Sequence, residues 1–155
     1  MKAWLILGCL VLVGSAIASP SIHGPEMDTE KDITAALDRL NALLSAHDPA
    51  IVQEFAPDAD VLLLGSEANE LAIGPSQLGT FFRDLLSQPF TLSWEWKQTR
   101  VSSIGNVAWV FAEGDVIVRT TDGTTRAPYR LTGVLEHRNG KWLWRQSHGS
   151  EPVKH

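Results

Sequence analysis

Apolar residues recur at Ile33, Leu37, Leu40 and Leu44, a three-and-four spacing that puts them on one face of a helix. Thr29-Glu30-Lys31-Asp32, just before them, resembles a capping box with aspartate in the fourth place. Asp48-Pro49 supplies an N-cap and a first-turn proline for a short second helix to about Phe55. Ala59–Leu64 and Glu70–Ile73 then read as two short strands around Gly65-Ser66-Glu67, and Gly74-Pro75-Ser76 opens a third helix with Leu78, Phe81, Phe82 and Leu85 inward. Beyond Pro89 the helical period ends. Alternating runs at 90–104, 107–120, 124–137 and 141–150 are separated by Gly105-Asn106, Thr121-Asp122-Gly123 and Arg138-Asn139-Gly140, which predicts a four-stranded antiparallel meander. One face of such a sheet needs cover and the preceding helices supply it, so the fold class is α+β. Gly114 and Gly133, inside strands, mark bulges or bends. A sheet curled at those points and closed by helices encloses a cone-shaped cavity.

The last run poses a specific question. Trp142, Trp144, Gln146, His148 and Ser150 share one face if alternation is unbroken, and that face begins apolar and finishes polar. The gradient implies a face that leaves a packed core and enters a cavity. Arg130, Thr132 and Val134 share a face of the preceding strand, and the short turn at Arg138-Asn139-Gly140 sets Arg130 opposite His148. A guanidinium in a cavity clamps a carboxylate or phenolate bidentately; on a sheet surface Arg130 instead bridges to an acid such as Glu113 or Asp115. His148 serves either as a general acid/base or as a partner for a backbone group. Trp94, Trp96, Trp109, Trp142 and Trp144 are mostly core, with one or two left to stack on a ligand.

The N-terminus reads as a secretory leader over 1–18: Lys2 is the positive start, Leu5–Val13 a short apolar stretch, and Ala16-Ile17-Ala18 a small-x-small cleavage site. A membrane span needs about 20 apolar residues, and Pro20, His23 and Glu26 interrupt this stretch. A lipoprotein box at Ile6-Leu7-Gly8-Cys9 has too few apolar residues before its cysteine. The expected product is periplasmic or secreted, with a flexible leader at 19–27, one domain at 28–152 and a tail at 153–155. Cleavage removes Cys9, the single cysteine, so the domain must hold together by its core alone. It also removes Lys2 and takes the formal charge from −5 to −6, which gives no electrostatic footprint for nucleic acid or an anionic membrane. His23, His47, His137, His148 and His155 lack ligand spacing, so no metal is expected, and without a phosphate-cradling glycine loop no cofactor is expected either.

The ending Arg130-Leu-Thr132-Gly-Val134-Leu-Glu-His-Arg-Asn-Gly140-Lys-Trp142, followed by His148-Gly-Ser150, resembles the SnoaL-like branch of the NTF2-like superfamily. HDPAIVQEFAPDADVLLLG after the first helix and IGNVAWVFAEGDV in the middle are similar to the same branch, and the resemblance covers about residues 28–152. It implies an NTF2-like cone, a strongly curved antiparallel sheet wrapped on N-terminal helices, with a ligand site inside the cone and a homodimer formed by the outer face of the meander. The family's matching arginine is usually turned towards the pocket, so the resemblance implies a pocket of Arg130, Thr132, Gln146, His148 and Ser150 with Trp109 and Trp142 against the ligand. The scaffold serves many functions. The leading expectation is an exported domain binding a small anionic or aromatic molecule; a small isomerase, dehydratase or cyclase and a dimeric assembly domain are the alternatives. An isomerase of the ketosteroid kind needs an oxyanion-donating tyrosine, and Tyr129, the single tyrosine, alternates away from the Arg130 face. Asp115 and Asp60 are the available aspartates for a cyclase, while Asp58 and Asp60 read better as turn residues capping the first strand.

Overall fold

The computed structural model of the protein describes residues 29–152; the expected secretory leader at 1–18 and tether at 19–27, and the tail at 153–155, lie outside the described residues. Helix α1 (Thr29–Ser45) buries the expected stripe of Ile33, Leu37, Leu40 and Leu44. A 3-10 turn (Pro49–Glu54) follows, with Asp48 as N-cap accepting a 2.9 Å hydrogen bond from the Ala50 N–H. Strands β1 (Leu62–Leu64) and β2 (Leu71–Ile73) lead into α2 (Gly74–Leu86). Four long strands complete the chain: β3 (Thr91–Ile104), β4 (Val107–Thr120), β5 (Gly123–Arg138) and β6 (Lys141–Ser150). β1 is shorter than the apolar run implied because Asp58–Val61 forms a turn, the Val61 N–H donating to the Asp58 carbonyl at 3.1 Å.

The six strands form one sheet in the order β2-β1-β6-β5-β4-β3. It is not wholly antiparallel as expected, since β1 runs parallel to β6. Both helices lie on one face, giving the α+β cone. Edge strand β3 is tied to α1 by Asn41, whose amide donates to the Trp94 carbonyl at 2.9 Å and accepts from its N–H at 2.8 Å. The side chain completes the unpaired edge as a neighbouring strand would.

Two bulges curl the sheet. In β3, Trp96 pairs with Gly114 and Gln98 with Glu113, which leaves Lys97 unpaired. In β6, Trp144 pairs with Leu135 and Gln146 with Val134, which leaves Arg145 unpaired. The glycines anticipated as bends are not the bulges themselves; they stand where the bulged neighbour leans in. A Cβ on Gly114 would meet the Glu95 carbonyl oxygen at 2.0 Å, and one on Gly133 would meet the Trp144 ring at 2.3 Å and the Gln146 carbonyl oxygen at 2.8 Å. Trp144 itself is fully buried, next to Phe55 at 6.5 Å between ring centroids, and its carbonyl accepts from the Ala56 N–H at 2.8 Å. Arg145, pushed out by the bulge, hydrogen-bonds Asp58 and, at 2.7 Å, Asp60. Asp58 also takes a 3.0 Å hydrogen bond from Arg138. These aspartates are therefore clamps between the β1 approach and the hairpin of β5 and β6.

A Gly133→Ala substitution is expected to cost about 1–3 kcal/mol in urea unfolding by overpacking the bulge. Combined with Trp144→Phe, which removes the offending ring edge, the two costs should sum to less than their separate values; full additivity would show that Gly133 and Trp144 do not compete for the same space.

Candidate functional site

An extra residue in a strand reverses which alternate side chains face inward, and this fixes the site. Before Arg145, Trp142 and Trp144 point to the helices; after it, Ser147 and Gly149 do, while Gln146 and His148 are exposed on the outer face. In β5 the inward residues are Leu131 and Leu135, with Tyr129 in line. The inner face opens into a cavity of about 260 Å³ between the sheet and the helices. Leu40, Phe82, Leu92, Trp94, Val116 and Leu131 contribute to its apolar wall, and Ser66, Glu67, Glu70 and Glu151 bring polar groups to it from the β1–β2 loop and the end of β6.

Tyr129 is the one phenol inside. Its ring is stacked 6.1 Å from Trp94, which in turn stacks 5.5 Å from Trp96. Its hydroxyl lies over Gly149, where an added Cβ would be only 1.8 Å from the oxygen. Glycine at 149 is thus what lets the phenol reach across β6. Burial, and then the negative charges of Glu70 and Glu151, push the Tyr129 hydroxyl up to about 12. The group is a neutral hydrogen-bond donor throughout the physiological range.

The residues expected in the pocket are elsewhere. Arg130 faces outward and donates to Glu113 across the β4–β5 pair at 3.1 Å, the bridging role that stood as its alternative. Its partner on β6 is Ser150, and His148 stands opposite Thr132, so Arg130 and His148 are not a facing pair. Thr132, Gln146 and Trp109 border a shallow outer groove with Arg100 and Val134; Trp109 is 48% exposed. His148 and Ser150 are on that outer face too. Trp142 is inward but in the core, 3% exposed, its ring 5.1 Å from the His137 imidazole. Two physical reasons account for the misplacement: the Arg145 bulge switches β6 to its other face between Trp144 and Gln146, and the hairpin turn pairs Arg138 with Lys141 and Leu135 with Trp144, so that Leu131 and Leu135, not Arg130 and Thr132, share the inward face of Trp144. Ser147 and Gly149 were missed because of the bulge, and Tyr129 because of the register. The signal was present in Arg145-Gln146, two consecutive polar residues between the tryptophans and the small residues Ser147 and Gly149.

The aspartate candidates are also engaged outside the cavity. Asp115 is held by Lys97 at 2.8 Å and Arg126 at 3.0 Å, and those hydrogen bonds, from Lys97 first, keep its carboxyl below the usual range. Among the described residues no group of three or more histidine, cysteine, aspartate or glutamate side chains is arranged to hold a metal ion. None of the described helices is long and apolar enough to cross a membrane.

The geometry is that of an α+β cone closed over an internal cavity, the NTF2-like class. The family model of the SnoaL-like domain matches residues 33–154, and the chain belongs to that family. Solved structures share the fold. An NTF2-like superfamily protein from Salmonella enterica is 18% identical, with a TM-score of 0.69 over 81% of this chain and 92% of its own. A candidate dehydratase of the NTF2-like family from Streptomyces avermitilis is 13% identical, with a TM-score of 0.74 over 82% and 99%. A candidate calcium/calmodulin-dependent protein kinase II association domain from Xanthomonas campestris is 24% identical, with a TM-score of 0.66 over 80% and 88%. No curated protein matches the chain.

Because Tyr129 is the single tyrosine, its titration can be followed by phenolate absorbance without a competing signal. The midpoint is expected near 12 rather than at the ordinary 10.0. The unfolded chain then releases this proton first, so the folded state should lose stability as pH rises from about 10 towards 12. A midpoint at the free value would mean that the ring is solvated.

Proposed function

We propose that the protein binds a small, largely apolar molecule in the cone, with the body against Trp94, Leu92 and Leu131 and a polar atom at the Tyr129 hydroxyl. The observation that carries this reading is an apolar cavity containing a phenol that takes no hydrogen bond from any described residue. Its volume is just under the roughly 300 Å³ at which pockets for drug-sized ligands begin, which favours a compact, ring-sized body. The expectation of an anion rested on Arg130; with that arginine outside, the cavity lining contains no lysine, arginine or histidine among the described residues. Binding is preferred over acid–base catalysis because His148 and the aspartates Asp58, Asp60 and Asp115 are all directed elsewhere. The sequence of residues 1–18 supports export of this binding domain, and an intact mass of the exported protein beginning at Ser19 is the corresponding result.

Titration with the uncharged probe N-phenylnaphthylamine, followed by fluorescence, tests the location of the site. Leu85→Trp, a larger side chain on the α2 wall, should lower probe affinity at least about tenfold by taking up cavity volume. Arg130→Leu should leave it unchanged. Loss of binding in Arg130→Leu with retention in Leu85→Trp would place the ligand on the outer face and end this reading.

We also propose that a second copy of the chain covers the outer face. Support comes from Trp109, half exposed on the face that no helix covers, with Leu71 and Ile73 also about half exposed towards the β2 edge. Light scattering is expected to give a dimer at micromolar concentration and a monomer for Trp109→Glu. A monomeric parent at high micromolar concentration would contradict it.

A further inference from the structure

The charged groups lining the cavity, among the described residues, are all carboxylates: Glu67, Glu70 and Glu151. Glu70 closes the β1–β2 loop: its carbonyl accepts from the Gly65 N–H at 2.7 Å, and its Oε2 accepts from the Glu67 N–H at 3.0 Å. That fixes the carboxylate on the loop while its Oε1 takes no hydrogen bond from a described residue. Glu151, which also lines the cavity, accepts from the Ser66 hydroxyl at 3.5 Å. Neither glutamate, nor Glu67 beside them, is in an ion pair among the described residues, whereas the acids of the outer face, Glu95, Glu113 and Asp115, all have arginine or lysine partners. Among the described residues no lysine, arginine or histidine lines the cavity. The same cavity is lined by the aromatic rings of Phe90, Trp94 and Tyr129, with Trp94 and Tyr129 stacked on one another. Aromatic faces attract cations through their quadrupole, and a low-dielectric wall strengthens the pull of an unpaired carboxylate.

We infer that the cavity selects organic cations: a protonated amine on a compact ring-bearing body, the body within the apolar cone and the ammonium held between Glu70 and Glu151 at its mouth. This rests on the cone being the ligand site and names the class of ligand it takes. The ammonium supplies the counter-charge that the two glutamates lack among the described residues, and a carboxylate in the same place would meet like charge.

The test uses three probes that share one ring body, naphthylmethylamine, naphthalenemethanol and naphthoate, titrated by calorimetry at low and at moderate salt. The amine is expected to bind about tenfold tighter than the alcohol, the naphthoate more weakly than either, and the advantage of the amine should shrink as salt rises. In Glu70→Gln combined with Glu151→Gln, the amine should fall to the affinity of the alcohol while the alcohol is unchanged, which also shows that the variant is folded. Equal affinities for amine and alcohol, or a preference for naphthoate, would overturn the selectivity and leave the cone as a binding site. Failure of all three to bind would overturn both.

Discussion

The structure depends on one residue too many in β6. Trp144, Arg145 and Gln146 oppose only Leu135 and Val134, so the strand must bulge at Arg145. The bulge drives the Trp144 ring into the space above Gly133 and presents the Trp144 carbonyl to Ala56. It also aims the Arg145 guanidinium at Asp58 and Asp60. Each of these contacts draws the segment leading to β1 onto the end of the sheet, and β1 then pairs parallel to the half of β6 beyond the bulge. Without the reversal, Ser147 and Gly149 would face outward, Tyr129 would have a bulky residue in place of Gly149 beneath its hydroxyl, and the cavity would lose its floor.

The same device operates at Lys97 in β3, where Trp94 and Trp96 are inward before the bulge and Thr99 and Val101 are the more covered residues after it. Two bulges, each beside a glycine that leaves room for the approaching neighbour, convert a long meander into a cone. The tryptophan indole nitrogens of Trp96, Trp142 and Trp144 are buried without hydrogen-bond partners among the described residues, so these rings serve by size and shape. The polar work of the cavity is left to Tyr129 and the glutamates of the rim.

Much of this was legible in the sequence. The α1 stripe, the Asp48 cap, the α2 face and the four long strands follow from local periodicity and turn chemistry, which act within a few residues. The placement of Gly114 and Gly133 at bends was legible as well. What alternation could not reveal was the phase of β6 beyond Trp144, because a bulge is set by the packing of Trp144 against Gly133 and by aspartates more than eighty residues earlier in the chain. The bulge puts Gln146 and His148 on the outer face, the register of the β5–β6 hairpin puts Arg130 and Thr132 there, and with them went the expectation of an anionic ligand. Tyr129, set aside because it faced away from Arg130, became the phenol of the cavity because the hairpin register turns it inward with Leu131 and Leu135. Asn41, which closes the β3 edge, gave no sequence signal beyond a polar residue on a helix.

The two faces of the sheet thus divide the chemistry: paired charges and exposed apolar side chains outside, and inside a phenol with carboxylates that have no ion-pair partner among the described residues. The central claim is that β6 reverses its face at Arg145, and nuclear Overhauser contacts test it directly because the chain has a single tyrosine. The account predicts cross-peaks from the Tyr129 ring to the Gly149 α-protons and to the Trp94 indole, with none from the His148 imidazole to Trp94 or Leu131. Contacts from His148 to those residues, with Gly149 remote from Tyr129, would contradict it.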